Sequence, residues 1–172
     1  MKKIIVVFIA FLFSLGLNGC VSMPLKRYSE TLPRTNSIYL EKAKLCKLRE
    51  VGLQISFEEP IDGPSAGQLE VVEIYGVSLK KELEKRGFAV VDDSSKEGTV
   101  IIKTKIGEVP GRLFSSGLGI VGVEIKVWNS NDKLLLSFQK AVNSHFWGSP
   151  AKKQIRKFIA PQVAEQLKKE LF

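Results

Sequence analysis

The chain has 172 residues, 44% of them hydrophobic and 26% charged, with 26 Lys and Arg against 18 Asp and Glu for a formal net charge of +8. With no long polar run, that length suits one hydrophobic core and excludes a disordered or multi-domain chain. The basic balance raises nucleic acid as a partner, yet no recognition helix, zinc-finger spacing or ribonucleoprotein motif is present, which excludes the common readers of DNA and RNA.

Lys2 and Lys3 followed by the uncharged run Ile4 to Leu17 have the layout of a secretory signal. As a helix those residues rise only about 21 Å, against a hydrocarbon core of about 30 Å, so a permanent span is disfavoured. The run ends Leu17-Asn18-Gly19-Cys20, which resembles the lipobox of bacterial lipoproteins: an aliphatic residue at −3, a small one at −1, then the cysteine. The resemblance implies that residues 1–19 are a cleaved signal peptide and that Cys20 becomes the acylated N-terminus. At about 0.8 kcal/mol per buried CH₂, several acyl chains hold a protein stably on a membrane. Val21 and Ser22 stand where an aspartate would favour inner-membrane retention in that family. The implied address is therefore the outer membrane, with the domain facing the periplasm. Acylation of Cys20 leaves Cys46 without a pairing partner, and its expected state is a buried small hydrophobe.

Residues 20–36, with Pro24, Pro33 and scattered Ser and Thr, read as a lipidated tether onto which Tyr28 and Leu32 can fold back. Residues 37–172 read as a single α+β domain. Ser37–Lys42 is a short strand, and Val51–Phe57 alternates Val51, Leu53, Ile55 and Phe57 with small or polar residues, the period of a half-buried strand. Glu41–Glu50 fits a polar helical turn or a long loop. From Gln68 to Arg86, Leu69, Val72, Gly76, Leu79 and Leu83 recur every three or four residues, which predicts an amphipathic helix ending at Gly87. Strands follow at Phe88–Asp92 and Thr99–Ile106, then a Gly/Ser loop over Gly107–Gly119. Val123–Trp128 and Leu134–Val142 form a hairpin about Asn129–Asp132. A last helix follows Pro150, with Pro161 kinking or restarting it.

The order β-β-α-β-β-β-β-α predicts a two-layer α+β sandwich, a mixed or mainly antiparallel sheet with two helices on one face. The stretch Leu79 to Asp92, the strand near Val100, the Val123–Val142 hairpin and the closing helix to Leu167 resemble small periplasmic domains of envelope lipoproteins. These are the domains related to the curli-secretion lipoprotein, the amino-terminal domain of TolB and the lipoprotein activators of penicillin-binding proteins. That resemblance implies a fold and a setting and carries over no functional residue.

Two motifs suggest chemistry. Gly117-Leu-Gly-Ile-Val-Gly122 fits the dinucleotide fingerprint in letters, but it opens a strand where that fingerprint must open a helix, so no cofactor is expected. Gly63-Pro-Ser65-Ala-Gly67 fits a nucleophile elbow, and Asp92 and His145 follow in hydrolase order, which makes a small serine hydrolase an alternative reading. Ser65-Ala-Gly-Gln68 is also a capping box, which accounts for Ser65 without chemistry. A lone His145 gives no metal site, and Glu58 and Glu59 are neighbours that a strand would aim apart. The remaining candidates form an interaction surface, Arg112 and Phe114 in the Gly/Ser loop and His145, Phe146 and Trp147 before the last helix, since arginine and aromatic side chains are the usual interface anchors. The sequence thus points to a non-catalytic, lipid-anchored envelope factor, held to the membrane by acyl chains on Cys20. Its expected partner is an envelope protein or an anionic envelope glycolipid, and a homo-oligomeric subunit is a further alternative.

Overall fold

A computed structural model describes residues 21–51, 54–109, 119–144 and 151–172 of the chain. Its first helix, α1 (Ala66–Lys85), is set by signals at both ends. The Ser65 hydroxyl accepts from the Gln68 backbone N–H at 3.4 Å while the Ser65 N–H donates to Gln68 Oε1 at 2.8 Å, the reciprocal pair of a capping box. At the far end Gly87 takes a φ of 93°, the Gly87 N–H donates to Glu84 O and the Phe88 N–H to Leu83 O. These are the two bonds of a Schellman motif, and the left-handed φ is why glycine stands there. Val71, Val72, Tyr75, Leu79 and Leu83 make the buried stripe of this helix.

Among the described residues eight strands form one mixed sheet: β1 (Val21–Arg27), β2 (Ser37–Leu40), β3 (Lys44–Val51), β4 (Gln54–Pro60), β5 (Ala89–Val91), β6 (Val100–Val109), β7 (Gly119–Trp128) and β8 (Leu134–Ser144). The main path runs β1-β8-β7-β6-β2-β5. Neighbours from β1 to β6 along it are antiparallel, and β2 is parallel to both β6 and β5. Beyond β2, β3 continues alongside β6 and carries β4 as its hairpin partner. Val121, Val123, Ile125 and Val127 alternate onto the face that the helices cover, and the partly exposed Glu124, Lys126 and Trp128 point the other way.

The closing helix, α2, consists of Ala151–Gln154, a π-helical turn Ile155–Ile159, and Ala160–Leu171. In place of the expected kink at Pro161, the Ala160 N–H reaches back to Ile155 O in the wide turn just before it. The spacing of the buried side chains gives the reason. Ala151, Ile155, Ile159, Val163, Leu167 and Leu171 recur every four residues and are all buried. A regular helix turns about 100° per residue, so that stripe would creep about 40° around the axis at each repeat. A wide turn takes back part of the creep, and Pro161, which has no N–H to give Lys157, costs nothing extra next to it.

With α1 and α2 on one face the molecule is the two-layer α+β sandwich its sequence implies. The opposite face is half covered by the β3–β4 hairpin, whose Leu48, Ile55 and Phe57 join Ile120 and Ala141 in a second, smaller core. Gly107 and Gly122, paired across β6 and β7, let that hairpin approach. A Cβ on Gly107 would sit 2.7 Å from Leu48 Cβ, and one on Gly122 would sit 3.0 Å from Ile55 Cδ1. The glycine fingerprint around residues 117–122 therefore ends inside a strand, and its last glycine answers to packing.

Two stretches depart from expectation. The predicted tether, residues 20–36, holds β1, paired along β8, and then a segment fastened to the domain: the Tyr28 N–H donates to Leu135 O, the Thr35 N–H to Leu171 O, and Leu25 and Leu32 pack against the main core. The sheet thus begins at Val21 and not at Ser37. Pro24 falls where the β1–β8 register shifts between Met23 and Lys26, on an edge strand, where a missing N–H is tolerated. The undecided stretch 41–50 supplies most of β3, so the element order gains two strands before α1.

Candidate functional site

Because residues 41–43 interrupt the pairing along β6 between the end of β2 and the start of β3, the sheet leaves a gap beside α1. A groove of about 720 Å³ opens there, between the helix and the β2–β5 edge. Leu40, Ala43, Val72, Leu79 and Val90 line it, Tyr75 and Thr104 close its floor, and Glu41, Lys42, Glu73, Lys80 and Asp92 stand on its rim. Tyr75 is buried, and its hydroxyl lies 3.5 Å from Thr104 Oγ1, a long contact that leaves both groups capacity for a further hydrogen bond. Burial pushes the Tyr75 phenol well above its ordinary value, so it stays a neutral donor and acceptor. On the helix wall, Leu69 and Val77 are 49% and 66% exposed, and a Cβ on Gly76 would meet nothing within 4 Å. The arrangement can hold an apolar group and offer it two hydroxyls. It brings together no nucleophile with a base.

Ser65 lies at the start of α1 with its hydroxyl engaged by the helix backbone. The strand before it, β4, pairs antiparallel with β3 and lies off the main path, so the parallel strand that a nucleophile elbow projects from is not formed around Ser65. Asp92 lies on the groove rim, and its neighbour Asp93 is held below the usual carboxylate range by hydrogen bonds from Ser95. Cys46, in β3 opposite Pro60 of β4, is buried, and burial pushes its thiol up, away from reactivity. Glu58 meets Arg49 across that hairpin at 3.8 Å. Among the described residues no three His, Cys, Asp or Glu side chains converge as a metal site would require.

Cys20, Arg112, Phe114, His145, Phe146 and Trp147 lie outside the described residues. The strands that flank them are described. β6 ends at Val109, β7 starts at Gly119, β8 ends at Ser144 and β1 starts at Val21, all at one end of the sheet, as the pairing Val21 with Ala141 and Val109 with Ile120 requires. No pattern in the sequence marks the groove, because it arises from a break between two strands that pair with β6, about sixty residues further along the chain.

Charge on the helical layer is uneven. Arg86 binds Glu82 at 2.6 Å and Glu165 at 3.2 Å, Lys85 binds Glu82 at 2.6 Å, and Lys152 pairs with Glu70. Hydrogen bonds from Lys85 and Arg86 hold the Glu82 carboxyl below its usual range. Lys153, Arg156 and Lys157 are exposed and have no carboxylate partner among the described residues. No helix among the described residues is long and apolar enough to cross a membrane.

No family model matches the chain, and no curated protein matches it. Solved structures do. A PelC dodecamer from Paraburkholderia phytofirmans matches over 81% of this chain and 96% of its own, at 14% identity and a TM-score of 0.44. A point variant of that dodecamer gives 81%, 95%, 15% and 0.44. A crystal structure of an uncharacterized protein matches over 82% of this chain and 95% of its own, at 12% identity and a TM-score of 0.47.

Proposed function

We propose that the chain is a lipid-anchored protein of a bacterial cell envelope, acylated on Cys20, whose domain binds another envelope component and does not catalyse a reaction. The observation that carries this reading is the join between the lipobox and the sheet. The residue after Cys20 is the first residue of a strand hydrogen-bonded along β8, so the proposed anchor is built into the fold. The address is the outer membrane with the domain in the periplasm, because Val21 and Ser22 follow the cysteine. The apolar groove with its two floor hydroxyls supports a binding role, and the use of Ser65 as a helix cap supports it over hydrolysis. Partners of matching chemistry are an envelope protein or an anionic glycolipid, and a second copy of the chain is a further partner that mass in solution would reveal.

The test is mass spectrometry of the mature N-terminal peptide together with fractionation of the cells. Acyl mass on Cys20 and recovery with outer membrane are expected, and Cys20→Ser is expected to release the protein from that fraction. An unmodified terminus, or a wild-type protein found free of membrane, overturns the reading.

A further inference from the structure

The cations at the start of α2 lie at the same end of the molecule as the proposed anchor. Glu170, near the end of α2, binds Arg27, the last residue of β1, at 2.8 Å, which sets the two elements at one level. From Glu170 back to Arg156 is about 21 Å of helix, and from Arg27 back to Val21 is about 20 Å of strand. Both elements start from the end where β8 finishes, since Val21 pairs with Ala141 and the chain passes from Ser144 into Ala151. Arg156 stands on the half of α2 nearer that end, beside Val77, Ser78 and Lys81 of α1, and Lys152, paired with Glu70 near the start of α1, and Lys153 lie beyond it, towards the end where β1 starts.

These charges have no internal reason to be there. A helix dipole favours acids in the opening turns, yet residues 151–164 contain none, and the first turn carries Lys152 and Lys153. Glu70 neutralises Lys152, whereas Lys153, Arg156 and Lys157 are exposed and have no carboxylate partner among the described residues, Lys157 lying 5.3 Å over the Phe158 ring. Lys85 and Arg86 are paired with Glu82, and Lys168 and Lys169 lie in the C-terminal turn of α2, where the dipole welcomes positive charge; Lys80 and Lys81, on α1, are exposed without a carboxylate partner among the described residues. We propose that Lys152, Lys153, Arg156 and Lys157 form a docking surface that lays the anchored end of the domain on the phosphate headgroups of an anionic membrane. The proposal rests on the lipid-anchor reading, which supplies the membrane. The headgroups supply the counter-charge that the fold omits.

The mature protein, reconstituted into vesicles of phosphatidylcholine alone or mixed with phosphatidylglycerol, is footprinted by lysine acylation and peptide mass spectrometry. Lys168 and Lys169, on the same helix, serve as the internal reference. Co-flotation with both vesicle types is expected. On the anionic vesicles Lys152, Lys153 and Lys157 should be acylated about fivefold or more slowly than on neutral ones, the effect of one basic residue held at a charged surface, and the difference should vanish in high salt. The variant Lys153→Gln, Arg156→Gln, Lys157→Gln changes only exposed side chains, and it should lose the anionic protection of Lys152. Equal protection at both ends of α2, or protection unchanged in the variant, overturns the docking surface while co-flotation keeps the anchor. Failure to float with phosphatidylcholine overturns the anchor. In that case flotation with anionic vesicles and the same footprint keeps the surface, and no flotation overturns both.

Discussion

Replacing Ser65 with alanine removes the acceptor for the Gln68 N–H and should cost about 1 kcal/mol in a urea titration, and the proposed non-catalytic role expects no ester or amide hydrolysis to be lost with it. Two glycines make a sharper pair. Gly107→Ala drives a methyl to 2.7 Å from Leu48 Cβ, between rigid strands, and should destabilise by about 1–3 kcal/mol. Gly76→Ala meets open space on a helix and should stabilise by roughly 0.5–1 kcal/mol. If Gly76→Ala destabilised the protein, the groove wall would be tighter than it stands. Glu82 governs part of the acid response. Its folded pKa is lowered by hydrogen bonds from Lys85 and then Arg86, so its contribution is present above the ordinary carboxyl value of 4.5 and is lost as pH falls through the folded value. The gap in urea midpoint between wild type and Glu82→Gln should therefore close in acid, and a gap constant from neutral to strongly acid pH would rule the pairing out. The Ser65 cap was legible in the sequence because its whole mechanism spans four residues. Gly107 was not, because the side chain it accommodates belongs to a hairpin about sixty residues earlier.

At the scale of elements, what the sequence revealed follows the same division. The amphipathic stripe of α1, its stop at Gly87 and the β7–β8 hairpin about Asn129 are local, and all were readable to within a few residues. β1 was not read as a strand: Val21, Met23 and Leu25 alternate with Ser22, Pro24 and Lys26, but the run is short and contains a proline, and pairing with β8 makes it a strand. β3 was undecided because its alternation is broken by a register shift between Cys46 and Leu48. In α2 the proline was visible, but the four-residue spacing of the apolar side chains was the stronger signal. If that spacing sets the π turn, Pro161→Ala should leave the turn in place and change stability by less than about 1 kcal/mol, a cost within the range of an exposed substitution. Ile155→Ala or Ile159→Ala, each removing a fully buried side chain, should cost about 2–5 kcal/mol. Denaturant melts of the three variants test the order, and a Pro161→Ala loss as large as the isoleucine losses would assign the turn to the proline.

The whole molecule is polar along its strands. One end is closed by the edge-to-face contact of Phe88 with Phe172 at 5.2 Å and by the Arg27–Glu170 pair. The other gathers the starts of β1, β7 and α2 and the ends of β6 and β8. An acyl chain on Cys20, as proposed, would have no slack because the first strand begins at Val21, and it would keep that end of the domain close to the headgroups. The candidate surface residues Arg112, Phe114, His145, Phe146 and Trp147 lie outside the described residues; the strand ends that flank them, Val109, Gly119 and Ser144, share this end, and no pattern in the sequence displays that because it exists only once β6, β7 and β8 are paired. Slack can be introduced deliberately. An insertion of about ten Gly and Ser residues between Cys20 and Val21 spans roughly 17 Å, twice the Debye length of about 8 Å at physiological salt. Because the insertion precedes the first paired residue, the urea midpoint should not move. Membrane recovery should also persist, since the acyl chains are untouched. Protection of Lys152, Lys153 and Lys157 on anionic vesicles should fall towards the reactivity of Lys168 and Lys169, because the fold would no longer hold those cations within reach of the phosphates. Protection undiminished by the insertion would mean that charge alone orients the domain, and that the direct join of anchor to strand has no part in it.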